Sequence, residues 1–173
     1  MKKTILGILV CACLGFGKPP YLPAFVKTYF HKNKISFSEP AGKLDPETIT
    51  AYRLDTLANP GTLTADFNGD RILDFAGILK NPNGNLDIIV VFSSGKKYRH
   101  FKLKGIGKDA ARINVVLNLQ KPDTVFSFPY DGLKKNEEKI LLKNPAIEIV
   151  FPEVSESVFY WDKNKFKEIQ TED

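Results

Sequence analysis

Asn81-Pro82-Asn83-Gly84-Asn85-Leu86-Asp87-Ile88-Ile89-Val90-Val91-Phe92-Ser93-Ser94-Gly95 sets a strand between two turns. Asn, Pro and Gly cluster at residues 81–85, where the chain must reverse. Leu86 to Phe92 is then β-branched and aromatic with almost no polar break. A strand with one wet face alternates, whereas one buried on both faces reads as a near-continuous apolar run. Residues 86–92 are therefore expected to form a central strand covered on both sides.

Working outward, Tyr98, Phe101 and Leu103 mark the next strand, and Phe75 to Leu79 the preceding one. Thr62 to Ala65 reads as a strand before that. Later segments with strand composition are 113–119, 124–128, 139–142, 146–151, 157–161 and 166–171. Asp162-Lys163-Asn164-Lys165 is a tight turn that makes the last two a hairpin. Upstream, Leu22, Phe25, Val26, Tyr29 and Phe30 recur at three- and four-residue intervals, which predicts a helix over 21–32. A short helical turn is expected from Asp45 to Thr50. One helix followed by eight or nine strands with short connections predicts an α+β domain with a mostly antiparallel, twisted sheet.

The 173-residue length favours one domain with a core of its own. Lys2-Lys3, the apolar stretch from Thr4 to Phe16 and the small residues of Gly15-Phe16-Gly17 have the layout of a secretory signal. The expected organisation is a signal peptide at 1–17 and a globular domain at 18–173. The stretch is short for a membrane span of ~20 residues. A periplasmic or secreted location without a transmembrane segment in the mature chain follows. The second reading is a lipoprotein anchored at Cys13. Cys11 and Cys13 are the two cysteines, and both fall within the signal, so cleavage after Gly17 leaves no thiol or disulfide chemistry.

The formal charge is +5, and removing Lys2 and Lys3 lowers it to +3. Lysines are scattered among carboxylates, which argues for a solvated surface and against a nucleic-acid or membrane patch, since both need clustered basic charge. His31 and His100 have no second histidine or carboxylate at ligand spacing. Glu153 and Glu156 read as solvated charges beside Pro152. No Gly-x-Ser-x-Gly elbow, phosphate-binding glycine loop or His-Glu-x-x-His run occurs. An enzyme is not expected.

One run carries a chemical reading: Asp66-Phe67-Asn68-Gly69-Asp70-Arg71-Ile72-Leu73-Asp74. Hard cations such as Ca²⁺ take oxygen ligands from loop positions 1, 3, 5, 7 and 9. Here those are Asp66, Asn68, Asp70, the Ile72 carbonyl and Asp74. Position 12 is Gly77 instead of the bidentate Glu of an EF-hand, and the flanks read as strands. The segment Ala65 to Leu79 (ADFNGDRILDFAGIL) resembles the loops of FG-GAP type set between strands, in the single-copy form of small bacterial exported proteins. The 157–169 hairpin, SVFYWDKNKFKEI, is similar to their terminal tyrosine–tryptophan hairpin. The resemblance implies an exported domain with a cation loop and leaves its role unassigned. Arg71 stands where the pattern has glycine, so the loop either takes another turn or binds more weakly. Two readings stay open, a Ca²⁺ site and a metal-free turn held by Asx hydrogen bonds.

Tyr160, Trp161 and Phe166 are the candidate partner-binding residues, because aromatic side chains anchor interfaces. Strand alternation sets Tyr160 opposite Trp161, so at least one of the two belongs to a core. The functional expectation is a non-enzymatic exported domain that binds a protein or envelope partner. An inhibitor or immunity-type protein and a secreted hydrolase are the alternatives.

Overall fold

The structure is a computed structural model that describes residues 22–40, 43–44, 46–51, 61–95, 97–108, 112–127 and 139–172. The expected signal peptide and Cys13 lie outside the described residues. Among those described, no helix is long and apolar enough to cross a membrane.

The chain is mainly β, which corrects the α+β expectation. Among the described residues, two short helices, α1 (Ala24–Lys32) and α2 (Pro46–Ala51), accompany twelve strands. The predicted helix at 21–32 exists, but its nine residues cover part of one sheet face and do not make a layer of helices. The expected single sheet is also two sheets. Strongly twisted sheets of many strands tend to split and pack face to face, which buries both apolar sides.

The first sheet holds β2 (Thr62–Ala65), β3 (Asp74–Lys80), β4 (Asn85–Ser94) and β5 (Lys97–Lys108), in that spatial order. The second runs β12 (Lys165–Glu172), β11 (Ser155–Asp162), β10 (Ala146–Phe151) and β7 (Val116–Gln120). Every pairing in both is antiparallel. Two small ribbons complete the fold. β1 (Lys43–Leu44) pairs in parallel with β6 (Arg112–Ile113), and β8 (Thr124–Phe126) pairs with β9 (Lys139–Leu141).

Strand alternation assigns each face to a partner. Leu86, Ile88, Val90 and Phe92 of β4 meet Leu117, Ile147, Ile149 and Phe159 of the second sheet. Ile89 and Val91 turn the other way and pack under Leu22, Val26 and Phe30 of the α1 segment. Val158 and Ile169 leave the second sheet on its far side and meet Val125 of the β8–β9 ribbon. β4 thus has both faces covered, as its unbroken apolar run requires, and residues 86–93 are all buried.

Two turns set the registers. Asn81 Oδ1 accepts the backbone N–H groups of Asn83 and Asn85, and Gly84 sits at φ +78°. Lys163 and Asn164 both have positive φ, the geometry that matches the twist of a two-residue hairpin.

Candidate functional site

The run 66–74 is the connection from β2 to β3. Ala65 and Asp74 face each other at the base of this hairpin, so the turn begins where the ladder ends. Its residues alternate in role. Phe67 is buried and plugs into the core between the two sheets. Asp66, Asn68 and Asp70 fold back onto the loop's own backbone.

The Asp66 carboxylate accepts three N–H groups. Oδ1 takes those of Gly69 at 2.7 Å and Asp70 at 3.1 Å, and Oδ2 takes that of Arg71 at 2.7 Å. Asn68 Oδ1 also accepts from Asp70 N–H, at 2.9 Å. Asp70 Oδ1 accepts from Ile72 N–H at 2.9 Å. These successive Asx turns wind the chain around its acidic side chains. Gly69 adopts φ +81° and Arg71 φ +67°. Arg71 therefore takes the left-handed conformation that glycine adopts without strain. An L-residue in that conformation costs about 1–2 kcal/mol.

Asp74 is fully buried. Its Oδ2 accepts Phe67 N–H at 3.1 Å and its Oδ1 accepts Ser93 N–H at 2.9 Å. Those donors lie just past the ends of the β2–β3 and β3–β4 ladders, so the carboxylate replaces two missing backbone acceptors. Burial raises its pKa from the ordinary 3.8 to about 6. The two hydrogen bonds pull it down by less, and the nearby charges of Asp70 and Asp66 push it further up. A neighbour that sequence reasoning missed is Asn144, in the β9–β10 connection. Its side chain lies against Gly69, so close that a Cβ there would sit 2.8 Å from Asn144 Oδ1.

The donor set fits a hard cation in kind. It offers only oxygens, and a carboxylate oxygen has two lone pairs. Asp66 Oδ2 and Asn68 Oδ1 each accept one N–H, and Asp70 Oδ1 accepts one. Asp74 is directed toward the strand ends. Among the described residues, no three His, Cys, Asp or Glu side chains gather as a metal-holding group.

The expected aromatic site divides. Trp161 and Phe166 lie together, with ring centroids 5.1 Å apart. They close one end of the sandwich against Phe92, at 4.7 and 5.5 Å, and Phe101, at 5.2 and 5.6 Å. The Arg99 guanidinium rests over Phe92, Phe101 and Trp161 at 5.1–5.5 Å. Tyr160 faces away toward Lys167 and packs on the far side of the second sheet. The three residues do not form one face.

The remaining polar candidates are structural in geometry. His100 Nδ1 and the Tyr29 hydroxyl share a hydrogen bond of 2.9 Å that ties β5 to α1. Glu153 lies in the exposed β10–β11 turn at φ +62°, and Glu156 pairs with Val150 in the ladder. Compared with known protein families, curated proteins and solved structures, the chain matches none.

Proposed function

We propose that this chain is an exported, non-enzymatic binding domain whose 66–74 loop takes up Ca²⁺. One observation carries the reading. The loop is wound, by its own Asx hydrogen bonds, around alternate oxygen-bearing side chains, with Arg71 held in the turn conformation the calcium pattern assigns to glycine. Asp66, Asn68, Asp70 and the Ile72 carbonyl would hold the ion. Asp74 would stay on Phe67 and Ser93 and supply charge from behind. A cation here relieves the repulsion among three carboxylates that share one hairpin end. Arg71 adds positive charge nearby, which places the affinity at the weak end of the ~10⁻⁴–10⁻³ M range of extracellular modules.

Titration calorimetry and thermal melting with and without millimolar Ca²⁺ test this. Binding should give heat and raise the melting temperature, because a ligand of the folded form stabilises it. Asp70→Ala should remove both effects. No heat and an unchanged melting temperature in the parent protein would leave the loop a metal-free turn.

A further inference from the structure

We infer that the cleft between the far face of the second sheet and the β8–β9 ribbon binds a small organic molecule through a phosphate or sulfate group. The cleft has a volume of about 510 Å³, a size that suits such a ligand. Two parts of the chain build it. The last hairpin supplies Tyr160, Lys165, Lys167 and Ile169, and the ribbon supplies Ile140 with the adjoining Ser127.

The hairpin residues share one face of the sheet. Across the β11–β12 ladder Tyr160 stands opposite Lys167, Val158 opposite Ile169 and Asp162 opposite Lys165. Val158, Tyr160 and Ile169 all pack on the far side, so alternation sets Lys165 and Lys167 there too.

The walls select the sign of the ligand. Their donors are the Lys165 and Lys167 ammonium groups and the Ser127 and Tyr160 hydroxyls. Glu168 also borders the cleft, but its carboxylate turns the other way, to Lys104 of β5 at 3.0 Å. Asp162, on the cleft's own face, is engaged by Lys167 at 2.6 Å. Its carboxyl is held below the ordinary carboxylate range by that hydrogen bond, and the charges of Lys167, Lys163 and Lys143 lower it further. Glu148, across the sheet on β10, is bonded to Asn118 at 3.0 Å. Lysines therefore surround Asp162, and Lys143, Lys163 and Lys165 have no ion pair among the described residues.

The kind of anion follows from the donors. Ammonium groups and hydroxyls act as separate point donors, without the planar fork by which arginine matches a carboxylate. Donors that converge from two elements suit a tetrahedral oxyanion, which has several acceptor oxygens. Ile140, Ile169 and the Tyr160 ring give the cleft an apolar wall, which favours an organic ester over the free inorganic ion. The site adds a second location to the binding-domain reading and does not depend on the calcium loop; failure of either leaves the other standing.

The experiment is titration of the full purified chain, isotope-labelled for NMR, with phenyl phosphate, phenyl sulfate, inorganic phosphate and phenol. Saturable amide shifts centred on Ile140, Tyr160 and residues 165–169 are expected with at least one ester, with weaker binding of inorganic phosphate and none of phenol. The ester that binds tighter identifies the anionic group. Lys165→Gln should weaken ester binding about fivefold, as loss of one exposed ion pair does. Tyr160→Phe, which removes a donor and keeps the ring, should also weaken it about fivefold. Lys27→Gln, on α1 beyond the first sheet, changes net charge equally and should leave binding within about twofold. None of the three positions is buried, so unchanged melting curves establish folding of the variants. Equal weakening by Lys165→Gln and Lys27→Gln, or equal binding of phenol and the esters, would overturn the proposal. So would the lack of a saturable shift with either ester, including the case in which poly-glutamate alone binds and the face serves an acidic protein.

Discussion

Asp74→Ala separates the two opposing contributions of the buried carboxylate. Its hydrogen bonds to Phe67 and Ser93 stabilise the fold, and bonds to a charged group contribute about 1.5–3 kcal/mol each. Its charge is costly, because burial raises the pKa to about 6 from 3.8. That shift corresponds to roughly 2–3 kcal/mol. At pH 7 the two partly cancel, so the variant should lose about 1–3 kcal/mol. The sign with pH then follows. Because the folded pKa lies above the unfolded one, the native state binds a proton between about pH 4 and 6 that the unfolded chain does not. The group's contribution is fullest below its unfolded value and is lost as pH rises through about 6. The loss caused by Asp74→Ala should therefore be roughly 2 kcal/mol larger near pH 4 than at pH 7. Urea unfolding of both proteins with a chelator present measures it, since the other groups titrate alike in the two chains. An equal loss at both pH values would refute the desolvation argument. A larger loss at pH 7 would mean that the carboxylate is stabilised in its charged form.

Arg71→Gly should stabilise the metal-free protein by about 0.5–1 kcal/mol, because the left-handed penalty exceeds the extra unfolded-chain entropy that glycine brings; a shift of the urea midpoint to lower concentration would instead assign the Arg71 side chain a stabilising contact. Phe92→Ala should cost about 3–5 kcal/mol, since the ring is buried and meets three aromatic partners at one end of the sandwich. Its neighbour Trp161 is the one tryptophan, so the folded variant's emission should also shift to the red; an unshifted spectrum would remove Phe92 from the tryptophan's environment.

Much of the β architecture was legible because it depends on local chemistry. The Asn81–Asn85 turn, the unbroken run after it and the Lys163-Asn164 turn each state their own geometry. The two-sheet arrangement was not legible, because it depends on which apolar strand faces meet, and alternation assigns faces without assigning partners. The helix illustrates the same limit. Its periodicity predicted where it forms, but its weight in the fold class depended on how many strands surround it.

The site divides in the same way. Alternating oxygens in 66–74 were visible, and so was the departure at Arg71. That Asp74 turns inward was not, because the signal lies in Ser93, nineteen residues away, whose N–H outlasts the β3–β4 ladder. Likewise, Ser127 and Lys165 look unrelated until the β8–β9 ribbon and the last hairpin border one cleft.

The loop cannot respond to an ion by itself. Phe67 fixes it between the sheets, Asp74 fixes it to β4, and Gly69 lies against Asn144 of the connection that enters the second sheet. Releasing Phe67 would expose core, and releasing Asp74 would leave buried N–H groups without acceptors, both of which are expensive. Local fraying of residues 66–74 is thus tied to opening of the sandwich. Ca²⁺ binding should consequently slow amide exchange at β4 and β10 by the same factor as in the loop, within the globally unfolding set. Protection confined to 66–74 would show that the loop opens independently of the sheets.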